Sequence, residues 1–316
     1  MQGPRRSSLP HQRSHRPNSP RGGDLSDRQS NQKEKTITKT WFITGAGRGL
    51  GAEVARSALA AGDNVVATAR SADSVKKALG ESDRLLALAL DVTDREAPKE
   101  AVATAVERFG RIDVLVNNAG YDHLGIFEEA SEEDIETQFQ TNVFGLMRVT
   151  RAVLPVMRRQ KSGHIINLSS IGGKVAFDLC TLYGTSKFAV EGFSVNLAKD
   201  VASFGINVTV VSPGYFRTDF LDPSSVRFAG NRISDYDEVR GAVEAAYKDH
   251  SHQQLGDPQK FGPAIVEMAS AAKPPMHFLV GSDAVQFARD EIAARSAEMD
   301  QWEKLSASTD HQNAAA

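Results

Sequence analysis

The chain has 316 residues, 41% hydrophobic and 24% charged, with a formal net charge of −3, enough apolar material for one large α/β domain without requiring two. The weak charge and the lack of a basic stripe interleaved with aromatics argue against nucleic acid and leave small molecules as the expected partners. A single cysteine, Cys180, excludes an internal disulfide framework and a cysteine-rich zinc site, and no apolar run approaches the roughly 18 residues of a bilayer span, so a cytoplasmic protein with no membrane span is expected.

Residues 1–36 are rich in Arg, Ser, Pro and Gln, and after Met1 their large aliphatic residues are Leu9 and Leu25. Such a segment cannot bury enough surface to offset the entropy of ordering, and it is expected to be a disordered extension. It also lacks the apolar face of an amphipathic transit peptide. From Thr38 onward, compact β-rich runs at Thr40–Thr44, Asn64–Thr68, Leu85–Leu90, Val114–Asn117, His164–Leu168 and Asn207–Val211 alternate with helical patterns at Leu50–Ala61, Ala97–Phe109, Glu132–Arg158 and Leu182–Phe204. The alternation predicts a doubly wound, Rossmann-type parallel sheet of about seven strands with helices on both faces, in one domain over 37–285. The seventh strand is expected at Met276–Val280, after a helix introduced by Asp257 as N-cap and Pro258 in its first turn.

Between Phe216 and Lys260 the pattern weakens into a polar stretch, read as an irregular substrate loop at about 216–260 or as a solvated excursion. Beyond Gly281, Ile292, Met299 and Trp302 recur near helical spacing, predicting a C-terminal helix and tail over 286–316 that packs on its own domain or on a partner subunit.

Chemistry concentrates at the ends of the predicted strands. The first runs through Thr44-Gly45-Ala46-Gly47-Arg48-Gly49-Leu50-Gly51 into a helix. Glycines there let the backbone approach a pyrophosphate held at a helix N-terminus, although a tight strand-to-helix connection would also need them. No Gly-Lys-Ser/Thr follows, against a P-loop. The second strand ends at Ala69-Arg70, where an enzyme using NAD would usually hold a ribose hydroxyl with a carboxylate. Ala69 cannot do so, whereas Arg70, with Arg48, offers forked cations suited to a 2′-phosphate. NADP(H) is therefore expected over NAD(H), which stays open as the alternative.

These features join Asn117-Asn118-Ala119-Gly120, Ser170, Tyr183 with Lys187 four residues on, and Pro213-Gly214. In order and spacing the set resembles the short-chain dehydrogenase/reductase family over about Thr38–Ala284. The resemblance implies one domain holding both cofactor and substrate, a homodimer or homotetramer, and hydride transfer between NADP(H) and a carbonyl or secondary alcohol. It makes Tyr183 the acid/base, and Lys187 its tuning cation and a ligand of the nicotinamide ribose. Ser170, thirteen positions before Tyr183 and preferred over Ser169, would hold the substrate oxygen, and Asn142 would bend a helix and support a proton path to the lysine. It places Asp91 and Val92 at the adenine, Asn117, Ala119 and Gly120 along the adenosine side, and Pro213, Gly214 and Thr218 at the nicotinamide carboxamide. Asp122 and Gly184 fall at positions that vary in the family and shape its pocket.

One helical turn separates Tyr183 from Lys187, so the side chains share a face, and an ammonium there favours the phenolate of a group whose ordinary pKa is about 10. Neither serine stands in a Gly-x-Ser-x-Gly elbow, which disfavours hydrolysis. Phe177, Leu179, Tyr215, Phe216 and Phe220 are candidates for an apolar pocket for a hydrophobic substrate. The eight histidines form no credible metal motif, His250-Ser251-His252 being at most a weak one, so no metal is expected. A catalytically silent NADP-binding sensor or scaffold, or a sugar-nucleotide epimerase or dehydratase, are the alternatives, although the latter usually carry a different glycine spacing and a larger substrate domain.

Overall fold

The computed structural model describes residues 38–218, 226–250 and 253–311, with side chains 248–250 excepted. The predicted N-terminal extension, Phe220 and the histidines at 250 and 252 lie outside the described residues or side chains.

The elements run β1 (Thr40–Thr44), α1 (Gly49–Ala60), β2 (Asn64–Ala69), α2 (Ala72–Leu79), β3 (Leu85–Ala89), α3 (Ala97–Phe109), β4 (Val114–Asn117), β5 (Asp122–Leu124), α4 (Glu132–Phe139), α5 (Leu146–Gln160), β6 (Gly163–Leu168), α6 (Thr181–Val201), β7 (Ile206–Pro213), β8 (Val226–Phe228), α7 (Asp237–His250), α8 (Pro258–Ser270), β9 (His277–Val280) and α9 (Ser282–Ala307). Seven of the strands form one parallel sheet in the order β3-β2-β1-β4-β6-β7-β9, each of the expected runs taking its place in it. The order reverses between β1 and β4, and a ligand crevice opens at such a switch point beyond the strands' carboxyl ends.

Side-chain alternation in β1 divides the core. Trp41 and Ile43 point to one face and pack with Val54 and Ala58 of α1 and with Phe261 and Ile265 of α8. Phe42 points to the other, among Val102 and Ala105 of α3, Val153 and Met157 of α5 and Leu197 of α6. Both faces are covered, which is why these strands read as continuous apolar runs rather than alternating ones. Trp41 satisfies its indole N–H on the Asp63 carboxylate at 2.8 Å.

Four stretches depart from the sequence expectation. The helix read over Glu132–Arg158 is two helices, α4 and α5, joined by a six-residue π turn, Gln140–Gly145. The short helix α2 was not expected, since eight residues are too few to establish a period. The stretch read as irregular over 216–260 contains β8, which pairs in parallel with β5, and the 14-residue helix α7. Its charged composition masks a thin packed face. The C-terminal helix begins at Ser282, a few residues before the expected boundary, and runs to Ala307.

A buried ion pair fastens the start of α7: Arg240 donates to Glu129, both almost fully enclosed. The same Glu129 carboxylate accepts the Ile233 N–H at 2.8 Å, and Tyr236 donates to Glu128 at 2.9 Å. Removing one partner leaves the other charge buried and uncompensated. Glu129→Ala should therefore speed backbone hydrogen exchange across β8 and the first turns of α7 while β1, β4 and β6 stay protected. Unchanged exchange in that segment would show that the ion pair does not hold it.

Candidate active site

Thr44, the last residue of β1, and Asn118, just past β4, tie the two strand ends together. Thr44 Oγ1 accepts the backbone N–H groups of Asn118 and Ala119, each at 3.0 Å. The Asn118 amide in turn donates to the carbonyls of Thr44 and Gly45, again at 3.0 Å. The glycine turn must fit inside this lacing. Gly45 has φ +67°, and a Cβ on Gly51 would lie 2.4 Å from Asn118 Nδ2 and 2.5 Å from the Gly45 carbonyl oxygen. On Gly47 it would lie 2.5 Å from the Ser74 hydroxyl. The turn leads directly into α1, whose N-terminus faces the same crevice. The bare backbone at a helix N-terminus fits a pyrophosphate.

The crevice is a cleft of about 1040 Å³. Of the predicted residues it brings together Gly45, Gly47, Arg48, Gly49, Leu50, Arg70, Asp91, Val92, Ala119, Gly120, Ser170, Tyr183, Lys187, Pro213, Gly214 and Thr218. Arg70 is exposed at its rim beside Ser71, with Ala69 in place of a carboxylate. Asp91 is turned by Thr93, whose N–H and hydroxyl both donate to Oδ1, at 2.9 and 2.7 Å.

Three predicted residues stand behind the cleft. Gly51 serves the close packing just described. Asn117 faces the core, donating to Thr150 Oγ1 and Asn167 Oδ1 at 2.8 Å each, a sheet-stabilising role in place of the expected contact along the adenosine side. Asn142 lies in the π turn between α4 and α5. Its amide donates to the Tyr121 carbonyl at 3.0 Å and to Ser186 Oγ at 3.1 Å, and its Oδ1 accepts the Tyr121 N–H at 3.1 Å. Gly120 is flanked by this amide and by Lys187: a Cβ there would meet Asn142 Oδ1 at 3.1 Å and Lys187 Nζ at 3.7 Å.

Tyr183 and Lys187 project from α6, both buried. Ser170 Oγ accepts the Gly172 N–H at 3.1 Å, and it and the Tyr183 ring flank that glycine together: a Cβ on Gly172 would lie 3.5 Å from each. Ser169 points the other way, donating to the Lys187 carbonyl at 3.2 Å. Lys187 Nζ donates to the Leu168 carbonyl at 2.9 Å and lies 5.6 Å from the centre of the Tyr183 ring.

Burial is the largest influence on the Tyr183 phenol and pushes its pKa upward, the Asp122 carboxylate pushes the same way, and the Ser170 hydrogen bond opposes them without prevailing. Burial lowers Lys187 to about 8, against support from Asp122 and Glu191. The lysine alone therefore does not make a phenolate; in the protein's own field Tyr183 is a protonated acid.

Sequence reasoning did not find several contributors. Asp283, at the start of α9, accepts the Tyr215 N–H at 2.8 Å and closes against Gly214, where a Cβ would clash with its carboxylate at 2.2 Å. Tyr247 of α7 reaches the cleft and is hydrogen-bonded to Cys180 Sγ at 3.3 Å. Burial, reinforced by Asp122, pushes the Cys180 thiol up to about 12, so this cysteine is inert as a nucleophile. Among the proposed apolar residues, Phe177 and Tyr215 line the cleft and meet edge-on at 6.0 Å, and Phe216 also packs on Phe261. Leu179 instead adopts φ +60° and offers its carbonyl to the Gly125 N–H at 2.8 Å, setting the approach to α6.

Comparison with known proteins decides the family. Residues 39–227 match the family model described as short chain dehydrogenase. The chain belongs to the short-chain dehydrogenase family. It is 40% identical over 273 residues to the oxidoreductase BOA17 of Botryotinia fuckeliana, covering 85% of this chain and 98% of that one. A crystal structure of a short-chain dehydrogenase from Streptomyces avermitilis superposes with a TM-score of 0.79 at 39% identity, covering 87% of this chain and 99% of that one. The structure of ElxO with NADP bound gives a TM-score of 0.64 at 28% identity, covering 77% and 97%. The protein is an NAD(P)-dependent oxidoreductase of this family, built to use a nicotinamide cofactor.

Because the atoms opposite Gly51 include a backbone carbonyl, a methyl group there cannot be absorbed by a flexible side chain. Gly51→Ala should lower unfolding free energy by about 1–3 kcal/mol, as overpacking does, and weaken dinucleotide binding. Urea denaturation and a cofactor titration would measure the two effects, and wild-type values in both would refute the close-packing account.

Proposed function

We propose that this protein is an NADP(H)-preferring reductase of a carbonyl group, working reversibly on the corresponding secondary alcohol. The observation that carries this reading is the convergence of Ser170, Tyr183 and Lys187 in the cleft that contains the glycine turn, with the Lys187 ammonium 5.6 Å from the centre of the Tyr183 ring. In the reduction, Ser170 and Tyr183 together hold the substrate oxygen, and Tyr183 delivers its proton there as negative charge develops. Burial and Asp122 keep that proton on the phenol until it is needed. Lys187, braced by the Leu168 carbonyl, holds the ribose of the nicotinamide nucleotide, and Asn142 positions the Gly120–Tyr121 backbone next to it. The bound nicotinamide supplies the hydride.

Arg70 and Arg48 support the preference for the 2′-phosphorylated cofactor, since both line the cleft at the end where Ala69 withholds a carboxylate. On the same reading, Asp91 and Val92 hold the adenine, and Pro213, Gly214 and Thr218 orient the carboxamide. The aromatic pair Phe177 and Tyr215 supports a hydrophobic substrate body.

Replacing Tyr183 with Phe should reduce turnover by about 10²–10⁴-fold, the usual worth of a positioned general acid, while NADPH still binds in a fluorescence titration. Undiminished turnover would remove Tyr183 from the mechanism. The Arg70→Asp variant should lose at least about tenfold of its NADPH-over-NADH preference in kcat/KM, a difference near 1.4 kcal/mol. An unaltered ratio would mean that the 2′-phosphate is held elsewhere.

A further inference from the structure

One buried carboxylate in the cleft has an influence on Tyr183 but no assigned contact with substrate or cofactor. Asp122, the first residue of β5, is 4% exposed and lines the cleft wall, and its Oδ1 is enclosed with no hydrogen-bond partner among the described residues. Its neighbour His123 points away, toward Asp134 at 3.5 Å, so the strand's alternation aims these two side chains to opposite sides. Opposite Asp122 in the β5–β8 register is Val226, an apolar residue that also lines the cleft and offers no donor.

The titratable groups around it come from three other parts of the fold. Its charge acts on Lys187 and Tyr183 of α6, on Cys180 at the start of that helix, on Tyr215 after β7 and on Tyr247 of α7. Two of these are already engaged with each other, Tyr247 with Cys180. Lys187 spends a donor on the Leu168 carbonyl. Burying a carboxylate without a donor is expensive, and the cost here is visible as a pKa pushed up to about 7 by burial, only partly relieved by Lys187. A core position could avoid that cost with an apolar residue. A cleft position repays it when a ligand brings the missing donor.

Accepting the reductase reading, we propose that Asp122 is a specificity-determining residue that accepts a hydrogen bond from a donor substituent, a hydroxyl or an ammonium, carried by the substrate within a few bonds of its reacting carbonyl. The substrate class is then a hydroxy- or amino-ketone with an apolar body, its donor end met by Asp122 and its body by Phe177, Tyr215 and Val226. The donor also counteracts the charge that holds the Tyr183 proton, so the substrate that fits best also lowers the cost of proton delivery.

The test uses three medium-chain ketones with one carbon skeleton: unsubstituted, α-hydroxy and α-amino, each reduced with NADPH by the wild-type protein, Asp122→Asn and Tyr183→Phe. We expect the wild type to prefer a donor-bearing ketone by about tenfold or more in kcat/KM, mostly through KM, as a charge-assisted hydrogen bond supplies. A larger preference for the amine than for the alcohol identifies the ammonium as the donor; the reverse identifies the hydroxyl. Asp122→Asn should bring the amine preference close to unity. It should also move the alkaline limb of kcat/KM, set by Lys187 losing its proton near pH 8, to lower pH, because the carboxylate supports that ammonium. Its melting temperature should be equal or higher, since a partnerless buried charge has been removed; a merely structural Asp122 would lower it and leave the selectivity unchanged. Equal kcat/KM for the three ketones in the wild type, or a preference that survives in Asp122→Asn, overturns the proposal while leaving the reductase reading intact. Failure of all three ketones to react in any Tyr183-dependent way overturns both.

Discussion

The geometry of the cleft rests on the lacing between Thr44 and Asn118. A doubly wound sheet splits where its strand order reverses, and the split ends of β1 and β4 would otherwise expose unpaired backbone groups. One threonine hydroxyl and one carboxamide satisfy four of them at 3.0 Å. The glycine turn is thereby fixed at the depth where its backbone faces the crevice. The next two residues after Asn118, Ala119 and Gly120, carry the chain past Lys187 and Asn142. The glycine turn and the approach to Lys187 are thus set from one pair of side chains.

Against that fixed frame, burial dominates the electrostatics of Tyr183 and Lys187. A tyrosine and a lysine one turn apart suggest from sequence a cation tuning an acid. In the folded protein both are enclosed, desolvation disfavours the charged form of each, and the carboxylate with the largest influence on both is Asp122. The result is a phenol that retains its proton and a lysine poised near 8. Such a pair is suited to donating a proton to a carbonyl oxygen.

Much of this was legible in the sequence because the signals were repeated along the chain. The seven strand runs are two-sided and apolar, so their boundaries emerged to within a residue or two, and the strand-end motifs marked the crevice before any coordinates did. What escaped was of two kinds. Local helices were hidden when composition outweighed period: α7 reads as a polar loop because its packed side is thin, and the π turn at Asn142 interrupts a pattern that looks continuous from Glu132 to Arg158. Side-chain direction was also out of reach. Asn117 and Asn118 are adjacent, yet one faces the core and the other the glycine turn, and no sequence signal tells the two apart. Asp122 looked like a variable position; its isolation is a three-dimensional fact.

The clasp at the start of α7 has a bearing on how such a pocket can change over evolutionary time. Glu129, Arg240 and the Ile233 amide secure the helix at its first turns, whereas Tyr247, two turns later, is the part that reaches the cleft. Anchorage and recognition are thus assigned to different ends of one helix. Substitutions at the recognising end leave the clasp untouched, so the segment behaves as an interchangeable insert through which a lineage, or a protein engineer, can retune the pocket without redesigning the sheet that supports it.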